Sequence, residues 1–154
     1  GIFPAREYLS AGGVLAVGSD SNIRISLSEE LRALEHSQRL RDRQRAVLAT
    51  KDKSCGRLLL ETAARGGASA LGRDAGRIET GALADLLALD SAAPALAGLS
   101  GDRLLDAWIF AGDDTLVSDV WAAGRHVVIE GSHIKRDAIA ARFNAVMARL
   151  RSDL

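Results

Sequence analysis

The sequence predicts an α/β fold, on three observations. A wholly apolar run at residues 14–17 is bracketed by glycines, as expected of a strand buried on both faces of a parallel sheet. Helical patterns flank it, a short one before and a long one after. Past Gly81 the texture changes to short strand-like runs, and the chain closes on one more helical stripe.

Each element has a local cause. Pro4 opens a helix over residues 4–11, because its fixed φ and missing N–H suit the first helical position; Gly12 and Gly13 close it. Ser28 is placed to cap the long helix, and Glu29 and Glu30 complement its positive end. That helix is expected to run to Ala49, carrying Leu31, Leu34, Leu40 and Val47 for burial and Glu35–Arg39 as an i,i+4 pair. Residues 55–65 read as a further helix ended by Gly66 and Gly67, and residues 68–71 as a short helical turn. A strand follows at 84–90, then a loop at 91–101 and a short helix at 102–111 with Leu104, Leu105, Trp108 and Ile109 inward. Residues 117–122 and 126–130 form a hairpin around Ala123, Gly124 and Arg125. The last helix, residues 135–150, lines up Ile139, Phe143, Val146 and Leu150. The shift in texture at residues 77–81 marks the expected domain boundary.

Composition narrows the function classes. At 154 residues the chain is long enough for a real core, and 47% hydrophobic with 26% charged residues is ordinary for a soluble globular protein. Twenty basic residues balance twenty acidic ones, so the basic excess of a nucleic-acid binder is missing, and 4% aromatics leave few stacking platforms. Cys55 is the sole cysteine, which rules out an internal disulfide and a cysteine-rich zinc module and fits a reducing cytoplasm. No apolar run reaches the ~20 residues of a membrane span, and no basic-then-apolar leader is present. The opening Gly1-Ile2-Phe3-Pro4 reads like the middle of a structure, as in a processed or truncated chain.

Asp20 is the residue with chemistry to offer. The apolar run ends at Gly18 and presents this carboxylate between Ser19 and Ser21. A turn or a cap would account for it. At the carboxyl end of a barrel strand it would instead face the catalytic side, where it could hold a divalent ion and accept a proton. The cationic run from Arg39 to Arg45 reads as a solvated helix face, since alternate helical positions fan around the axis. His36, His126 and His133 are the only histidines; they follow no metal-binding spacing and fall on a helix, a hairpin and a loop, so convergence on one ion is not expected. Cys55 reads as a small packing residue. The glycines of 76–81 belong to turns, because that stretch lacks the Lys-Ser/Thr pair of a phosphate loop.

Taken together, these segments resemble the amidohydrolase superfamily, and within it the formimidoylglutamate deiminases. The most specific stretch is Glu29-Glu30-Leu31-Arg32, Leu34-Glu35 and residues 38–43, similar to that family's long helix after the last barrel strand. Gly18–Asn22 resembles the end of that strand, and Gly66–Ala68, Ala70–Gly72, Gly81 and Ala84–Leu87 resemble the broader superfamily pattern.

The resemblance implies the last strand and flanking helices of a metal-dependent hydrolase TIM barrel over residues 1–76. It implies the C-terminal strands of a small composite β-sandwich domain over 77–134 and a C-terminal helix over 135–154. It implies zinc-dependent hydrolysis of N-formimidoyl-L-glutamate to N-formyl-L-glutamate and ammonia, a step of histidine degradation. Asp20 would be both metal ligand and proton carrier for the attacking water. The family's histidine ligands and its catalytic His and Glu have no counterpart here. The chain is therefore expected to be the C-terminal portion of a larger cytoplasmic enzyme, inactive by itself, and a homodimer through its unpaired strand edges. The competing expectations are another deaminase of the superfamily, of guanine, cytosine or chlorotriazine type, and a folded non-catalytic module that binds a partner.

Overall fold

A computed structural model describes residues 1–152. In chain order these form helix α1 (Ala5–Ser10), α2 (Leu27–Asp42) and α3 (Cys55–Ala70), strand β1 (Leu86–Leu89), helix α4 (Gly101–Phe110), strands β2 (Val117–Ala122), β3 (Arg125–Ile129) and β4 (Ser132–His133), and helix α5 (Arg136–Ser152).

Side chains that satisfy backbone groups set the helix ends. Ser26 rather than Ser28 caps α2, its hydroxyl accepting the Glu29 N–H at 3.2 Å. Ser28 is buried, and its N–H donates to Asp114. The helix stops at Asp42, short of Ala49, because Arg43 takes a left-handed conformation with φ 53°. Beyond it the fully buried Glu35 accepts the N–H groups of Val47 and Leu48, both at 3.0 Å, and folds the chain back on α2. The expected Glu35–Arg39 pair forms at 2.7 Å. Leu40, expected inside, lies on the open side, 77% exposed. Arg41, near the end of α2, is tied by Glu7 and Asp42.

Gly66 and Gly67 do not end α3, which continues to Ala70. Gly66 is there for proximity: a β carbon at this position would fall against the Leu15 carbonyl. Helices α2, α3 and α4 surround the core, built on Leu31, Leu59, Ala63, Trp108 and Ile109, with Ala5 and Leu48 sealing one end. Arg32 fastens α2 to the end of α4, donating to the Ile109 carbonyl at 2.6 Å and to that of Gly112.

The sheet is an antiparallel meander, β1-β2-β3-β4. Trp121 pairs with Leu86, Val120 with Val128, and Val128 with His133. Ala123 and Gly124, at φ 49° and 78°, make the two-residue turn whose twist suits a hairpin. Leu89, Leu116 and Val117 lean on the helical core from the sheet side.

Residues 14–17 enter no ladder and carry no regular secondary structure, and Val14 is 65% exposed; a parallel strand needs a neighbour, and none is present among the described residues. All described strand pairs are antiparallel, so the described residues show helices beside a small antiparallel sheet. Helix α5 buries none of its residues, and its apolar stripe faces outward.

Candidate functional site

Asp20 sits where the 14–18 segment turns toward α2. Its φ of 44° is left-handed, a conformation that Asp tolerates better than most residues. The turn is held from the α2 side. The Asn22 N–H donates to the Ser19 carbonyl at 2.8 Å, and the Asn22 side-chain amide donates to Glu30 at 2.8 Å. Arg24 pairs with Glu29 at 3.0 Å. The first turn of α2 therefore both begins the helix and anchors the loop that carries the carboxylate. Asn22 and Glu30 were not singled out in the sequence; their eight-residue separation follows no regular period, so only the folded loop reveals the contact.

The Asp20 side chain is exposed and takes no hydrogen bond or ion pair among the described residues. Beside it, an open groove of about 610 Å³ runs along residues 14–18, between Tyr8 of α1 and Leu34 of α2. A zinc site ordinarily draws three or four protein ligands. Among the described residues no three His, Cys, Asp or Glu side chains come together as a metal site. The residues present do not by themselves fit a zinc ion.

The histidines stay apart, each with a structural partner. His36 stacks on Phe110 with centroids 6.1 Å apart. His126 bonds Asp119 at 2.7 Å and stacks on Trp121 at 4.4 Å. Together with the Ser118 hydroxyl, it holds the Asp119 carboxyl below the usual range. His133, expected in a loop, lies in β4, and its Nδ1 accepts the Lys135 N–H at 3.1 Å. Cys55 is buried beside Glu35, a packing position.

Comparison with known proteins places these features in context. Residues 1–127 match the amidohydrolase family. The chain belongs to that family. This amidohydrolase chain is 48% identical over 151 residues to the formimidoylglutamate deiminase of Pseudomonas aeruginosa, covering 97% of the chain and 33% of the relative. A 5-methylthioadenosine/S-adenosylhomocysteine deaminase of Halobacterium salinarum is 31% identical over 152 residues, again covering 97% of the chain and 32% of the relative. Among solved structures, an amidohydrolase from Brucella melitensis superposes with a TM-score of 0.86 at 42% identity, covering 97% of this chain and 33% of that one. An adenosine deaminase from Xanthomonas campestris with bound zinc gives 0.78 at 29% identity, covering 96% of this chain and 33% of that one. The chain thus spans about a third of the length of the relatives it matches.

Proposed function

We propose that this chain is the C-terminal portion of a formimidoylglutamate deiminase, hydrolysing N-formimidoyl-L-glutamate to N-formyl-L-glutamate and ammonia in the cytoplasm. The observation that carries the reading is 48% identity, along 97% of the chain, to a protein of that name. Under it, residues 1–76 supply the last strand and flanking helices of a TIM barrel, 77–134 part of a small β domain, and 135–154 a C-terminal helix. Two features support a continuation by further chain. The segment 14–17 has no strand partner among the described residues. Strand β1 is an edge of its sheet, beside a groove of about 890 Å³ into which Trp108 contributes. The Trp108 indole N–H is buried without an acceptor among the described residues.

Asp20 is this chain's contribution to the reaction: a carboxylate held at the mouth of the 14–18 segment, able to ligate a cation and to accept a proton. Zinc is present in related structures, and the remaining ligands of such an ion would come from outside residues 1–152. The Asn22–Glu30 bond keeps the carboxylate's loop on α2.

A chimera tests this. The chain replaces the matching third of the Pseudomonas aeruginosa deiminase, and ammonia release from N-formimidoyl-L-glutamate is compared with release from guanine and cytosine. Activity on the formimidoyl substrate is expected, with a loss of about 100-fold or more, and loss of bound zinc, in Asp20→Asn. Full activity and metal content in that variant would sink the role given to Asp20. A folded chimera active only on the other substrates would sink the substrate assignment.

A further inference from the structure

We propose that Asn22 is a positioning residue for Asp20, its side chain aiming the carboxylate through a bond to Glu30. The inference rests on the reading of Asp20 as this chain's contribution to the reaction, and adds the residue that sets its direction. Packing cannot set it. None of residues 16–25 is buried, and Ile23 stands fully exposed. Asp20 is moreover left-handed at φ 44°, a conformation that a non-glycine residue keeps only where its surroundings impose it.

Asn22 supplies what packing does not. Its backbone N–H donates to the Ser19 carbonyl at 2.8 Å and closes a turn with Asp20 inside. Its side-chain Nδ2 donates to Glu30 Oε1, also at 2.8 Å. Glu30 belongs to the first turn of α2 and lines the groove along residues 14–18. One residue therefore shapes the turn and fastens it to a helix beside the groove. Arg24, paired with Glu29 at 3.0 Å, tethers the chain only after the turn is complete.

The bond also has a polarity. The amide N–H donates and the carboxylate only accepts, so Asn22→Asp sets two carboxylates against each other. Adding Glu30→Gln restores one donor and one acceptor with the roles exchanged. Glu30→Gln alone still offers Asn22 an oxygen and should behave as the unaltered chain. Because the bond lies at the surface, the global stability of the chain depends on it little.

Two measurements test the proposal. In the chain itself, hydrogen exchange at the Asn22 amide should quicken several-fold in Asn22→Asp and return in Asn22→Asp combined with Glu30→Gln, at an unchanged urea midpoint. In the deiminase chimera, Asn22→Asp should lower kcat about 10- to 100-fold with KM held within about twofold, and the second substitution should recover most of the loss. A kcat untouched by Asn22→Asp overturns the proposal, as does a loss that Glu30→Gln does not recover. A loss confined to KM overturns it too, and gives Asn22 to substrate binding. A chimera active only on guanine or cytosine sinks the substrate assignment alone, since the same split between kcat and KM is then read on that substrate. If the chimera turns nothing over, the exchange rate of the Asn22 amide decides: quickened in Asn22→Asp and restored by Glu30→Gln, it supports the proposal; unchanged, it overturns it.

Discussion

Gln38 holds the start of the first helix through both ends of its amide: Oε1 accepts the Ala5 N–H at 3.0 Å, and Nε2 donates to the Phe3 carbonyl at 2.8 Å. Gln38 is fully buried, as is Ala5, so water cannot replace the bond between them. Gln38→Leu keeps the bulk but leaves the buried Ala5 N–H with only the Phe3 carbonyl, at 3.0 Å, and that carbonyl without the Gln38 donor. It should cost about 1–3 kcal/mol in urea denaturation, with faster hydrogen exchange at Ala5.

Glu35 is the deeper anchor. It is fully buried and serves two backbone amides and Arg39 at once. Glu35→Ala should destabilise the chain by about 3–5 kcal/mol, because two buried N–H groups and a cation lose their partner together. Glu35→Gln retains a single acceptor oxygen and should recover part of that loss. Exchange rates of the Val47 and Leu48 amides report directly on the two bonds.

Adjacent glycines of α3 should respond in opposite directions. Gly67 has open space where a β carbon would go, so Gly67→Ala should stabilise the chain by about 0.5–1 kcal/mol through helix propensity. Gly66→Ala gains the same propensity but drives its methyl into the Leu15 carbonyl, and should lose about 1–3 kcal/mol overall. Equal effects from the two substitutions would refute the close approach of α3 to the segment leading to Asp20.

Cys55 gives the chain an alkaline limit. Burial pushes its thiol up to about 11, and the Glu35 carboxylate adds to the shift. The unfolded thiol ionises near 9.0, so between these values the folded chain holds a proton that the unfolded chain has released. Stability is complete below pH 9 and declines as pH rises toward 11, by about 1–2 kcal/mol. Urea midpoints of the native chain and of Cys55→Ala, measured across that window, should converge at its upper end. The same protonation keeps the thiol slow toward iodoacetamide at neutral pH.

What could be read from the sequence was what depends on near neighbours. The Glu35–Arg39 pair, the inward residues of α4 and the hairpin at Ala123 and Gly124 follow from spacings within a turn or two of chain. The end of α2 could not be read so, because it depends on Glu35 reaching amides 12 and 13 residues ahead. Gly66 looked like a helix terminator because its reason, the Leu15 carbonyl, lies far away in sequence. Residues 14–17 carried the pattern of a buried strand, yet no ladder partner exists among the described residues to realise it. Asp20 was visible as a carboxylate ending an apolar run, while Asn22 and Glu30, which fix its loop, were not.

The meander sets an order of events when the chain folds. Strands β2, β3 and β4 are joined by tight turns, so their pairing closes only short loops and belongs to the microsecond range of hairpins. Strand β1 lies on the other side of α4 in sequence, and its ladder with β2 must wait for that helix to be drawn in. Pulse-labelled hydrogen exchange during refolding should protect Val120 and Val128 before Ala88, leaving the outer edge of β1 the last part of the sheet to take shape.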